Sequence, residues 1–309
     1  MDETLPARPS AWRGGRPGPH GERLMSTFEA LAARGATAWW RYPLALGLAL
    51  VLATAGFLLI GLPLALMHYL PPNLAQLMLS PSDPKWFFGA NGLTFGLVLL
   101  GLVGATRLVH RKAFSDITGV WSWRAFGRGA GLWGLMLLAL TATDYARAPA
   151  SFRWSGGAGT AELVAWALAA LAVQTFAEEF LFRGYITQAL LLVFRRPLPA
   201  AVVSGILFGA LHIPNGVPQA ANALVLGVAL SLIAVRTGSL AFGWGLHLVN
   251  NMFGAVVVVS GSDVFHGSPG LFTQTAPQLL WWDVVAACVA TVLLTLLMLR
   301  RPAVASGAY

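Results

Sequence analysis

Three charged side chains stand inside otherwise apolar sequence: Glu178, Glu179 and Arg183, in the stretch QTFAEEFLFRGY from Gln174 to Tyr185. A charge at membrane depth costs on the order of 2.5–3.5 kcal/mol on insertion scales, so such groups persist where they are partnered and usually where they act. Glu179 and Arg183 are four apart, share a helix face and can pair. Glu178 is turned about 100° from Glu179, so the spacing aims it elsewhere, into a cavity. The following apolar segments add Phe208 and His212, then Asn222, then His247, Asn250 and Asn251. Phe208 and His212 share a face, as do His247 and Asn251. Gly205 and Gly209 flank Phe208 and let its helix approach a neighbour closely. Glu178, His212, His247 and Asn251 therefore fit one pocket.

A carboxylate, two imidazoles and an amide suit hydrolysis. The carboxylate can serve as general base for a water. The imidazoles can either hold a metal that activates the water or donate hydrogen bonds to an oxyanion. No Ser or Cys nucleophile stands out, and the HExxH pattern is absent. Each feature alone has a plainer reading: a structural ion pair for Glu179–Arg183, a helix end for His212 before Pro214, interhelical hydrogen bonds for Asn222 and Asn250. Their succession on consecutive apolar segments favours a site.

The elements that must position these residues are membrane helices. Of 309 residues, 57% are hydrophobic and 10% charged, against about 25% charged in soluble domains. Apolar runs of about 20 residues recur, the length a bilayer core demands, and the alternating segments of an outer-membrane barrel are missing. The fold class is all-α, a polytopic membrane helical bundle of about eight transmembrane helices: 42–68, 87–109, 129–143, 160–194, 198–213, 218–235, 239–260 and 278–299. Residues 1–38 read as a polar disordered tail, with Met25 as an alternative start. Residues 39–301 read as the transmembrane domain and 302–309 as a C-terminal tail. The aromatic and basic linker after the second span suits an interfacial helix.

As one helix, segment 160–194 would reach about 52 Å, and an upright topology puts Glu178 toward its cytoplasmic half but His212 at the outer end of the next segment. A bend or break near Gly184 is expected, to bring the two together. Cys288 is the single cysteine, which excludes an intrachain disulfide and a Cys-based metal site. The net charge of +8 follows from topology, not from nucleic-acid binding. With eight spans, 17 of the 20 Lys and Arg fall on one side, which makes that side and both termini cytoplasmic. No cleavable signal peptide is visible.

The succession EExxxR (Glu178, Glu179, Arg183), FxxxH (Phe208, His212) and HxxxN (His247, Asn251) resembles the three motifs of the CPBP family, which comprises type II CAAX prenyl endopeptidases and Abi-type bacteriocin-processing or immunity proteins. The resemblance covers about residues 160–255. It implies an intramembrane endopeptidase with eight helices and a cavity within the membrane. Carried over, Glu178 would activate water, and His212 would be a metal ligand or catalytic partner. His247 and Asn251 would be metal ligands or oxyanion stabilisers, and Glu179, Arg183 and Phe208 would support the site. The implied cofactor is a divalent metal, zinc first, held by Glu178, His212 and His247; a metal-free glutamate mechanism fits the same residues. Partners would be membrane lipid and a peptide or membrane-protein substrate, in a bacterial inner membrane. Two other readings are a non-enzymatic immunity or scaffold protein on the same fold, and a transporter with a Glu/His proton relay, although no internal repeat is seen.

Overall fold

The computed structural model describes residues 27–276 and 280–300. Twelve α-helices follow in order: α1 (Thr27–Ala32), α2 (Arg41–Leu66), α3 (Leu74–Leu77), α4 (Pro84–Ala105), α5 (Phe114–Thr118), α6 (Trp123–Arg147), α7 (Ala158–Glu178), α8 (Thr187–Phe194), α9 (Pro197–Leu211), α10 (Val217–Thr237), α11 (Ala241–Met252) and α12 (Leu280–Arg300). Three π-helical stretches, Thr106–His110, Glu179–Ile186 and Phe253–Val257, extend α4, join α7 to α8 and extend α11. Local signals start several of these helices. Asp83 caps α4 by accepting from the Trp86 N–H at 3.3 Å, with Pro84 following it. Ser122 caps α6 by accepting from Ala125 N–H at 3.2 Å. Pro197 and Pro218 sit in the first turns of α9 and α10, where a missing N–H costs nothing.

The apolar segments read from the sequence are helical over most of their length. Among the described residues six helices are long and apolar enough to cross a membrane, and two further apolar segments form the shorter α9, of 15 residues, and α11. This agrees with the expected polytopic bundle of about eight membrane helices. The outward faces are apolar in keeping with lipid contact, as with Leu50, Leu59 and Leu66 on α2 and Leu293 and Leu297 on α12. The chain is thus an all-α integral membrane protein.

Helices pack in pairs: α2 on α4, α4 on α7, α6 on α11, α9 on α10, and α10 on α12. Small residues set the closest approaches. A methyl group on Gly205 would lie 2.8 Å from Val228 N, and one on Gly209 2.9 Å from Ala220 O, as the sequence spacing suggested. At the α6–α11 crossing, methyls on Gly129 and Gly245 would collide with the carbonyls of Phe242 and Phe126. A small sheet, ordered β1 (Phe152–Trp154), β3 (Phe272–Gln274), β2 (Val258–Ser260), joins the loops at one end of the bundle. Its outer pairs are antiparallel and parallel respectively. Gln219 of α10 ties this cap down by donating to Ser262 O at 2.7 Å.

Three further expectations change. First, the end of the assigned tail is packed. Phe28, Leu31 and Ala32 of α1 are buried, and the Lys112 ammonium donates to Leu31 O and Ala32 O at 3.0 and 2.9 Å. Three buried apolar side chains and a cation at the helix C-terminus dock this short segment; residues 1–26 of the assigned tail and residues 301–309 lie outside the described residues. Second, the linker is not one interfacial helix. It divides into α5 and the start of α6 at Gly119, whose φ of 72° suits glycine. Third, the helix does not break at Gly184. Residues 158–194 run as one 37-residue helix with a π-helical middle. Gly184 serves instead for close packing, since a methyl there would lie 3.2 Å from Ile117 O.

Because the carbonyls facing Gly129 cannot move without shifting α11, Gly129→Ala is expected to lower stability by about 1–3 kcal/mol, the usual cost of overpacking. Thermal unfolding in detergent checks this.

Candidate active site

The π-helical stretch starts at Glu179, and its geometry follows from local partners. The Phe182 carbonyl accepts from the Thr187 hydroxyl at 2.8 Å and from the Ser204 hydroxyl at 3.0 Å. Thr187 also reaches Ser231 of α10 at 3.2 Å. Buried hydroxyls on two neighbouring helices thus hold the wider turn. Such turns inside α-helices are frequent at functional sites.

The turn presents both glutamates to one histidine. His247 Nδ1 donates to Glu179 Oε1 at 2.9 Å. On the other side of the ring, Nε2 lies 3.4 Å from Glu178 Oε2, a close contact without hydrogen-bond alignment, since that oxygen is buried and has no hydrogen-bond partner. Arg183 Nη1 is 3.3 Å from Glu179 Oε1, with both side chains buried. Its guanidinium carbon stands 4.1 Å from the Phe208 ring centre, a cation–π contact. Gly243 leaves the room for Glu179: a methyl there would meet Glu179 Oε2 at 3.0 Å.

The sequence expected Glu179–Arg183 to be a separate supporting pair with Glu178 facing a cavity. The pair forms. Glu178 is not itself among the residues lining the cavity, but its partners Gln174 and His247 are. Gln174, one turn earlier, lines the wall and donates to Glu178 Oε1 at 3.3 Å.

The cavity itself has a volume of about 170 Å³ and is lined by Gln174, Phe208, His212, His247, Asn251 and Asp263 among others. His212 ends α9, and its Nδ1 donates to Phe208 O at 2.8 Å, which leaves Nε2 for the cavity. Phe208 stacks edge-on to His247, ring centres 5.8 Å apart, and lies 4.5 Å from His212. It is thus the hub between Arg183 and both histidines. The depth problem is resolved by length. From Phe194 back to Glu178, and from Pro197 forward to His212, the two antiparallel helices each rise about 22–24 Å, so both residues reach one level without a break.

Several lining residues were not singled out as site residues from the sequence. Asn222 and Asn250 line the cavity where interhelical hydrogen bonding was expected. Asp263 comes from the cap loop, and no helical spacing points to it. Its carboxyl is pushed above the usual carboxylate range by burial, against the opposing pull of the Val264 and Phe265 N–H groups.

A catalytic metal site usually takes three protein ligands. Among the described residues no group of three His, Cys, Asp or Glu side chains is gathered to hold a metal ion. His247 and His212 each bond one ring nitrogen to an oxygen acceptor, Glu179 and the Phe208 carbonyl, which leaves both Nε2 atoms, with Glu178 Oε2 beside that of His247, as the atoms that would hold a metal.

Fold and site together define a helical membrane protein with a buried carboxylate–imidazole cluster at the wall of a polar cavity. Residues 160–253 match the family model described as type II CAAX prenyl endopeptidase Rce1-like, so the family likeness carried by the three motifs is shown over this segment. The chain is also 28% identical over 213 residues to the uncharacterized protein YyaK of Bacillus subtilis (strain 168), covering 65% of this chain and 71% of that protein. No solved structure matches.

With Glu179 buried, Arg183→Met takes the guanidinium from its carboxylate and leaves that charge to the His247 imidazole alone, at an expected cost of up to about 3–5 kcal/mol. Adding Glu179→Gln to Arg183→Met should restore part of that loss. Unfolding of the two variants in detergent provides the comparison.

Proposed function

We propose that the chain is an intramembrane endopeptidase that hydrolyses a peptide bond in a peptide or membrane protein held near the membrane surface. One observation carries the reading: a single histidine is fixed between two glutamates, each of which keeps an unbonded, buried oxygen, and the one without an arginine partner, Glu178, stands next to residues of a cavity lined by a second histidine and an asparagine.

In this reading Glu178 is the general base. Its Oε2 takes a proton from a water as the water oxygen bonds to the scissile carbonyl carbon and the carbonyl electron pair moves to oxygen. Asn251, with His212 beside it, faces the resulting oxyanion. The pair then re-forms the carbonyl, the C–N bond breaks, and the proton on Glu178 passes to the leaving amine. Glu179 and Arg183 orient His247, and His247 holds Glu178. Because Glu178 stands behind Gln174 and His247, a bound peptide must part these two side chains to admit the water. A divalent metal, when bound, would be held by Nε2 of His247 and His212 with Glu178 and would polarise the water; no step is assigned to one. The excess of basic residues on one side supports a plasma-membrane protein with both termini in the cytoplasm, and the Bacillus subtilis relative supports a bacterial one.

The test is cleavage of a peptide library, with and without an isoprenyl cysteine, by protein in lipid nanodiscs. Glu178→Gln is expected to lower kcat by about 10²–10⁴-fold, the range for a lost general base, with the melting temperature preserved. Equal rates in wild type and variant would overturn the reading. Activity is expected to survive a chelator; its loss on chelation and return with zinc would instead favour the metal mechanism.

A further inference from the structure

Two residues outside the three motifs decide which end of Asn251 faces the cavity. Trp133, on α6, is 1% exposed and packs among Leu226, Leu230, Phe242 and Leu246. Its indole Nε1 lies 3.0 Å from Asn250 Oδ1. Asn250 Nδ2 lies 3.2 Å from Asn251 Oδ1. The polarity of this chain has one solution. An indole N–H can only donate, so the Asn250 atom that meets it is the amide oxygen. The N–H₂ of Asn250 is then turned to Asn251, whose facing atom must be an oxygen in its turn. What remains for the cavity is the N–H₂ of Asn251, a residue on the cavity wall with His212 and His247.

Without this chain the Asn251 amide has two near-equivalent orientations about its last torsion. One presents donors and the other an oxygen, which would repel a developing oxyanion. We infer that Trp133 and Asn250 are positioning residues that hold Asn251 with its donor end toward the reacting carbonyl. The use made of that donor end rests on the peptidase reading above; the relay itself does not. The close crossing of α6 and α11 at Gly129 and Gly245 holds the indole at bonding distance.

Asn250→Asp is the informative variant. It keeps the acceptor for Trp133 and the size of the side chain but removes the donor. Asn251 must then turn its N–H₂ toward the new carboxylate and its oxygen to the cavity. The expected result is a fall in kcat of about 10²–10³-fold, as for a lost oxyanion donor, with KM unchanged, matching Asn251→Ala. Relative to wild type at the same pH, activity should return as the pH is lowered, because a protonated carboxyl donates again. Trp133→Phe, which frees Asn250 to rotate, should give a smaller loss in kcat. If Asn250→Asp leaves kcat unchanged, or lowers it without recovery at low pH, the relay does not set the amide.

A second readout needs no activity. The Trp133 indole N–H resonance, identified by its absence in Trp133→Phe, should exchange slowly in wild type and in Asn250→Asp, and quickly in Asn250→Leu. An indole signal indifferent to Asn250→Leu overturns the relay. A wild type that cleaves nothing overturns the peptidase reading and leaves this signal to decide the relay by itself.

Discussion

Everything at the centre of this molecule depends on one requirement: two carboxylates, buried in an apolar bundle, must be neutralised where they stand. Glu178 and Glu179 are consecutive on one helix, so they repel each other unless cations are brought to both. Arg183 arrives from the next turn of the same helix and His247 from α11, and Phe208 covers the guanidinium from α9. Three separate helices are therefore bound to one another through a single electrostatic unit, and removing any member leaves an uncompensated charge in a low-dielectric interior.

The sequence reveals the parts of this unit better than their arrangement. Spacing of four residues pairs Glu179 with Arg183, and long apolar runs find each helix, because both signals are periodic and local. The clamp on His247 is not local. It needs the π-helical turn after Glu178, and that turn is held by hydroxyls of Thr187, Ser204 and Ser231 on different elements. No single-helix pattern carries that information. The same holds for α1. Its polar, glycine-rich surroundings suggest disorder, and only the buried Lys112 amine, which also donates to Gln188 Oε1 at 3.0 Å, shows why residues 27–32 dock. Gly184 was read through its helix-breaking tendency, whereas its role is the absence of a side chain against Ile117.

The match to the Rce1-like family covers residues 160–253, the segment that holds all three motifs. The helix that completes the cavity chemistry, α6, lies outside it, as does Asp263 in the cap loop. A motif search therefore finds the groups that react, while the groups that orient them come from packing partners elsewhere in the chain. Trp133 is the clearest case. In the sequence it is one aromatic residue among 12 tryptophans, and its single polar atom has meaning only opposite Asn250.

The shortness of α9 has a consequence for the lipid around it. Fifteen helical residues reach about 22 Å, roughly 8 Å less than the hydrocarbon core of an ordinary bilayer. Such hydrophobic mismatch is met by thinning of the adjacent leaflet or by polar groups reaching toward the headgroups. Thinning at the His212 end of α9, beside the polar cavity, would shorten the route to the protein interior for water, the one reagent a bilayer withholds.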